Sequence, residues 1–297
     1  MRCSHATTYI KGMAGGFGEF MRYVVAERDS VDSRILWVKL NAPERLNVLS
    51  SKMLEELYEA LAEADRDDGV QAIILAGVGR AFSAGADLKE ISASGFEEGV
   101  RWLSGYLRVI ELLRETGKPV IAAVRGACVA GGHEIVMACD LIVAGRSAKL
   151  GQPEVIVGST ALGLGAQLLP LIVGEKRARE MLLTGRLLTA EEAYQAGLVN
   201  RVVDDEKVEE EARKLAQQII DRVSPQAFRV IKSALKYWTD LAMLNLQLAR
   251  DITAMVWASE EFRERAKDFL EKREMKPRKF TGVLPRKLKP QEAADSQ

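Results

Sequence analysis

Residues 120–134 read VIAAVRGACVAGGHE, an apolar run from Val120 to Val124, a turn of short side chains, and then a helix start near His133. A continuous apolar run of this length suits a strand buried on both faces. Gly126, Gly131 and Gly132 let the backbone turn tightly and approach another group closely. The same order of elements occurs upstream. Gln71 to Leu75 (QAIIL), bounded by Gly69 and Gly77, leads into residues 80–88, RAFSAGADL. Downstream, Leu141 to Val143 reads as a third strand after a short helix over roughly 133–138. Repeated strand, turn and helix units predict an α/β core.

Ile35 to Leu40 reads as a strand broken by Asn41-Ala42-Pro43. Ser51 is then expected to cap a helix on which Leu54, Leu57, Leu61 and Ala64 recur at helical spacing. Regular structure begins around Met21, because residues 1–20 show no usable period. From about Gly174 the chain becomes helical. Thr189 and Glu192 form a capping box for a helix ending near Gly197, and residues 198–203 give one last strand. Helices are expected over 207–223, 225–238, 241–258 and 260–271, followed by an extended tail. The expected organisation is therefore a poorly structured N-terminal extension (1–20), a core carrying the site (21–203), and a helical region with its tail (204–297).

The 297 residues hold 42 Lys plus Arg and 42 Asp plus Glu, a formal net charge of zero. Phosphate-driven binding of nucleic acid calls for a basic surplus, so no nucleic-acid partner is expected. Cys3, Cys128 and Cys139 are too few for a disulfide scaffold and form no CxxC pair, and His5 and His133 are the only histidines. Neither a metal centre nor a disulfide scaffold is expected. No run of about 18 apolar residues suggests a membrane span, and residues 1–20 lack the apolar block of a signal peptide. A cytoplasmic location is the expectation.

Several motifs fail on inspection. His133-Glu134 has Met137 where HExxH requires histidine, Ser83 has Ala81 where a nucleophile elbow requires glycine, and no GK[ST] or complete GxGxxG occurs. Two glutamates stand out instead. Glu134 lies within VAGGHEIVMAC, and Glu154 within LGQPEVIV. A carboxylate among apolar residues is costly unless hydrogen-bonded, and partial burial lifts its pKa toward the range useful for proton transfer. The two glycine-rich turns add a second feature. If they converge, they offer two backbone N–H donors to one oxygen.

Taken together, residues 81–90 (AFSAGADLKE), 126–134 (GACVAGGHE), 151–154 (GQPE) and the run from Thr184 to Asn200 resemble the crotonase (enoyl-CoA hydratase/isomerase) superfamily, and the resemblance spans about 21–280. It implies a spiral of ββα units with a C-terminal helical region that builds trimers or hexamers. It also implies an oxyanion hole from the N–H groups of Ala86 and Gly131, and acid–base chemistry by Glu134 and Glu154. Contacts to the acyl-CoA thioester substrate would come from Ala84, Ala86, Asp87, Leu88, Lys89 and Gly131. No cofactor is implied beyond the coenzyme A of the substrate. The implied reaction is hydration of the C2–C3 double bond of an enoyl-CoA. A double-bond isomerase, or a non-catalytic acyl-CoA- or RNA-binding member of the fold, is the alternative. Ala130 departs from the glycine common before the oxyanion glycine, and His133 occupies the position before the first glutamate, where a packed, hydrogen-bonded role is expected.

Overall fold

The structure, a computed structural model, describes residues 21–280. The expectations for residues 1–20 and for the tail after residue 280 lie outside that range. Val24–Arg28 (β1) and Ile35–Leu40 (β2) pair antiparallel. Ser51–Arg66 (α1) follows, capped by Ser50, whose side chain accepts from the Met53 amide. The cap thus sits one residue before the expected Ser51. Ser51 is already helical and spends its hydroxyl on Glu90. Ala72–Gly77 (β3), Leu88–Ala93 (α2), Phe96–Glu115 (α3) and Val120–Val124 (β4) come next, then Ala127–Val129 (β5), Gly131–Ala138 (α4), Leu141–Gly145 (β6) and Lys149–Gly151 (β7). The 20-residue α3 carries no assignment in the sequence reading, yet its apolar residues Trp102, Leu103, Tyr106, Leu107, Ile110 and Leu113 keep helical spacing and are all buried.

Gly165–Val173 (α5), Glu175–Thr184 (α6), Leu187–Thr189 (β8), Ala190–Gln195 (α7) and Arg201–Val203 (β9) complete the sheet region. The Thr189 capping box forms as expected, and the last strand is shorter than expected, at three residues. Two sheets result. One has the order β1-β2-β3-β4-β6-β9, parallel from β2 onward; the other has the order β5-β7-β8. Successive strands alternate between them, β4 and β6 in the large sheet, β5 and β7 in the small one. This is the expected ββα repeat. Gly126 (φ +59) makes one crossing, where a Cβ would lie 1.9 Å from Arg80 O. No other residue fits that corner.

Strand alternation divides the large sheet's side chains between two cores. Leu36, Val38, Ile73, Leu75, Val120 and Ala122 face α1, α3 and the small sheet. Trp37, Ile74, Ile121 and Val143 face the other way, covered by Val208, Ala212, Leu215 and Ala216 of Val208–Arg222 (α8). Full burial of each Val or Leu contributes about 1.5–3 kcal/mol, so α8 seals a face that would otherwise be wet. Pro225–Ala242 (α9), Leu246–Trp257 (α10) and Glu260–Leu270 (α11) end the described chain. The helix α10 packs on α3, and α11 on α2. Leu235, Trp238, Leu241, Leu244 and Leu248 on this part of the chain are exposed. Among the described residues no helix is long and apolar enough to cross a membrane.

Candidate active site

The two small-residue turns meet. Ser83 stitches the first to β5, its amide donating to Ala127 O and its carbonyl accepting from Val129 N. Asn47 braces the same turn from behind, donating to Val78 O and Ala81 O. Gly85 (φ +86) lies against the second turn: a Cβ there would stand 2.6 Å from the Ala130 methyl and 3.3 Å from the Gly131 nitrogen. Gly132 likewise needs no side chain, because a Cβ would meet that of Ser83 at 2.6 Å. Ala130 between them holds φ 52 and ψ −131, a combination ordinarily left to glycine.

The amides in this region divide into used and unused. Those of Ala84, Gly85, Asp87 and Ala130 donate to Leu46 O, Ser83 Oγ, Leu49 O and Gly151 O. Among the described residues, those of Ala86 and Gly131 donate to no protein group. Gly131 opens α4, so its N–H belongs to the unpaired first turn and to the positive end of the helix. Asp87 is taken up structurally: it caps α2 through the Lys89 amide and pairs with Arg45 at 2.5 Å. Ala84, Ala86 and Leu88 are half-buried, and Lys89 is exposed.

Glu134, on the first turn of α4, is buried and fully provided with donors. One carboxylate oxygen accepts from the amides of Leu164 (2.8 Å) and Gly165 (2.7 Å) at the start of α5. The other lies 2.9 Å from the Tyr106 hydroxyl, which is also 2.9 Å from Gly131 O. Burial pushes the Glu134 carboxyl up from its usual range, and those three donors pull it back. Glu154, at the head of a short 3-10 turn (Glu154–Val157), has among the described residues only its own backbone amide as a backbone donor to its carboxylate. Burial first, and then the charge of Glu134, push its pKa well above the usual glutamate range. Tyr106 is also pushed well above the ordinary phenol value, by burial and then by Glu134, so it stays a donor.

Two carboxyls thus sit close enough to feel each other while their environments separate their proton affinities, the arrangement that lets one act as base and the other as acid. Beside them are two unspent amides on converging turns. The structure brings Ala86, Gly131, Glu134 and Glu154 to one region. It also adds two residues to which the sequence reading gave no role, Tyr106 and Gln152. The first was visible only as one position on the apolar stripe of an unassigned helix. His133 is wholly buried, and its Nδ1 lies 3.0 Å from the Gln152 amide. Among the described residues no cluster of three or more His, Cys, Asp or Glu suits a metal ion.

A family model described as enoyl-CoA hydratase/isomerase matches residues 30–279. A Thermus thermophilus protein with the provisional name enoyl-CoA hydratase is 40% identical over 240 residues, 80% of this chain and 94% of its own. The mitochondrial enoyl-CoA hydratase of Pongo abelii is 39% identical over 202 residues, 68% of this chain and 69% of its own. Among solved structures, an enoyl-CoA hydratase/isomerase from Mycobacterium paratuberculosis superposes with a TM-score of 0.77 at 28% identity, covering 84% of this chain and 98% of that one.

Proposed function

This chain belongs to the enoyl-CoA hydratase/isomerase family, and we propose that it adds water reversibly across the C2–C3 double bond of an enoyl-CoA thioester. The observation that carries this reading is the inequivalence of the two glutamates. Glu134, supplied with two amides and a hydroxyl, is the better carboxylate. Glu154, pushed up by burial and by its neighbour, is the better acid.

In the forward direction, the thioester oxygen accepts from the Ala86 and Gly131 amides. Glu134 takes a proton from water as its oxygen attacks C3, and the electron pair of the double bond moves onto the thioester as an enolate. The two N–H donors stabilise that developing charge more than the neutral carbonyl. Glu154 then delivers its proton to C2. The product carries OH on C3 and H on C2, and proton exchange between the glutamates and solvent resets the site. Ala84, Asp87, Leu88 and Lys89 border the path proposed for coenzyme A, and no further cofactor is required. An isomerase would rely on Glu154 alone.

The test is kinetic. Hydration is read by the loss of enoyl-thioester ultraviolet absorbance across acyl chains of different length and branching. Glu134→Gln and Glu154→Gln should each lose about two to four decades of kcat, the usual contribution of general acid–base catalysis, and the double variant should fall short of their product. Near-normal hydration by Glu134→Gln would overturn the reading in favour of the isomerase. We further propose a trimer or a dimer of trimers, supported by the exposed apolar row of Leu235, Trp238, Leu241 and Leu244. A stable monomer by light scattering at micromolar concentration excludes it. The free thiols of Cys128 and Cys139 are in keeping with a cytoplasmic setting.

A further inference from the structure

Gln152 lies between His133 and Glu154. Its carboxamide is 3.0 Å from Nδ1 of His133 on one side, and 2.8 and 3.2 Å from Oε1 and Oε2 of Glu154 on the other. Gln152 and His133 are both wholly buried, so neither can turn to water for a partner. An amide has two ends, and here only two arrangements are chemically consistent. In the first, His133 Nδ1–H donates to the Gln152 oxygen, and the Gln152 NH2 donates to Glu154. In the second, the amide is reversed: Glu154 donates its proton to the Gln152 oxygen, and the Gln152 NH2 donates to a bare Nδ1.

The histidine decides between them. Burial pushes its pKa down to about 3, so the ring is neutral and carries one proton. Among the described residues its Nε2 has no hydrogen-bond partner. The second arrangement would put the proton on Nε2 and bury an unsatisfied N–H, whereas the first leaves only a lone pair unmatched there. Orphaned buried N–H groups are rarer than under-used acceptors, so the Nδ1–H tautomer is the one kept.

We propose that His133 is a positioning residue, which through Gln152 holds the amide NH2 toward Oε1 of Glu154 and so leaves the proton of Glu154 on Oε2, free for transfer to substrate. With the amide reversed, that proton would be tied to the Gln152 oxygen. His133 thus acts two residues away from the reacting atoms, although it is adjacent in sequence to Glu134. This inference rests on the acid role assigned above to Glu154. Among the described residues, Glu134 on α4 is the charge that acts on Glu154, Tyr106 on α3 responds to both glutamates, and α11, packed on the turn that carries Glu154, brings Arg265 and its partner Glu261.

The tautomer can be read directly. The chain has two histidines, His5 and His133, so nitrogen-15 NMR of the histidine-labelled protein gives two ring-spin systems, told apart by a His5→Gln control. His133 should show a protonated Nδ1 and a bare Nε2 at every pH between about 5 and 8. A protonated Nε2 overturns the proposal, whatever reaction the enzyme performs. Kinetically, His133→Leu and Gln152→Leu should each lower kcat roughly tenfold with KM held, the scale of one misdirected hydrogen bond. Each should also move the alkaline limb of the rate profile to higher pH, and the double variant should be no worse than either single one. Independent, multiplying losses with an unmoved limb would mean that His133 only packs, and would refute the positioning role. If Glu154→Gln hydrates normally while the Nδ1–H tautomer is found, the reaction assignment has failed and the relay geometry stands.

Discussion

Replacing Tyr106 with Phe removes one oxygen from the centre of the site and leaves the ring, which stacks on Trp102 at 5.4 Å. The hydroxyl has one proton and two acceptors at 2.9 Å, Gly131 O and Glu134 Oε2. An ionised carboxylate is the stronger acceptor, so the proton points to Glu134 whenever Glu134 is charged. When Glu134 is protonated it can donate to the phenol oxygen, and the phenol proton turns to Gly131 O. The hydroxyl therefore serves both states but favours the ionised one.

A hydrogen bond to a charged group is worth about 1.5–3 kcal/mol, and one pKa unit corresponds to about 1.4 kcal/mol, so losing this donor should raise the Glu134 pKa by about one to two units. Burial already raises it, and the variant moves it further the same way. As the proposed base, Glu134 is active when ionised, so activity falls as pH drops through its pKa. In Tyr106→Phe that acid limb should shift upward by about one to two pH units, with kcat/KM down about 10- to 100-fold below the limb and far less on the plateau. The measurement is kcat/KM for enoyl-CoA hydration across pH, wild type against variant. A uniform loss at every pH, with the limb in place, would refute this account and return Tyr106 to shape alone.

Gly85→Ala should cost both fold and rate, because its new methyl must displace the Ala130 methyl at the point where the turns meet. Misplacing a proposed oxyanion donor predicts a loss of about two to three decades in kcat, checked by steady-state kinetics beside a melting curve. Ala130→Gly should relieve the φ 52, ψ −131 strain; after the added unfolded-state entropy, denaturant unfolding should show about 1 kcal/mol of stabilisation. Glu154 binds its proton more tightly folded than unfolded, so its contribution to stability is present at low pH and is lost as pH rises from the ordinary glutamate range through its elevated pKa. The wild type should lose up to about 1.4 kcal/mol per pH unit across that window, and Glu154→Gln should flatten the slope in unfolding curves taken across it.

What the sequence made legible was whatever one segment decides for itself. Val120 to Val124 is apolar at every position because both faces of β4 are covered, and the structure buries all five residues. Glu134 and Glu154 stood out because an acid placed among small and apolar residues is costly unless hydrogen-bonded. The cap at Ser50 was misread by one residue because two adjacent serines offer the same chemistry, and only the helix's first hydrogen bonds choose between them. The amphipathic period of α3 was there to be read, but the period shows only that Tyr106 is buried. That it reaches Glu134 depends on how α3 docks on α4.

Gln152 and His133 show the same limit more sharply, because 19 residues separate them and no spacing rule relates them. Their meeting follows from the parallel register of β5 on β7, in which Cys128 lies opposite Leu150 and Val129 opposite Gly151. That register sets the chain leaving β7 beside the first turn of α4, so that Gln152 arrives against His133 while Glu154, two residues on, faces Glu134. A slip of one residue would exchange the two faces of β7 and carry Gln152 away from the histidine. The small sheet therefore helps build the proposed acid–base pair: its register joins residues from α4 to those after β7 and so sets Glu154 beside Glu134, whose charge with burial raises its proton affinity.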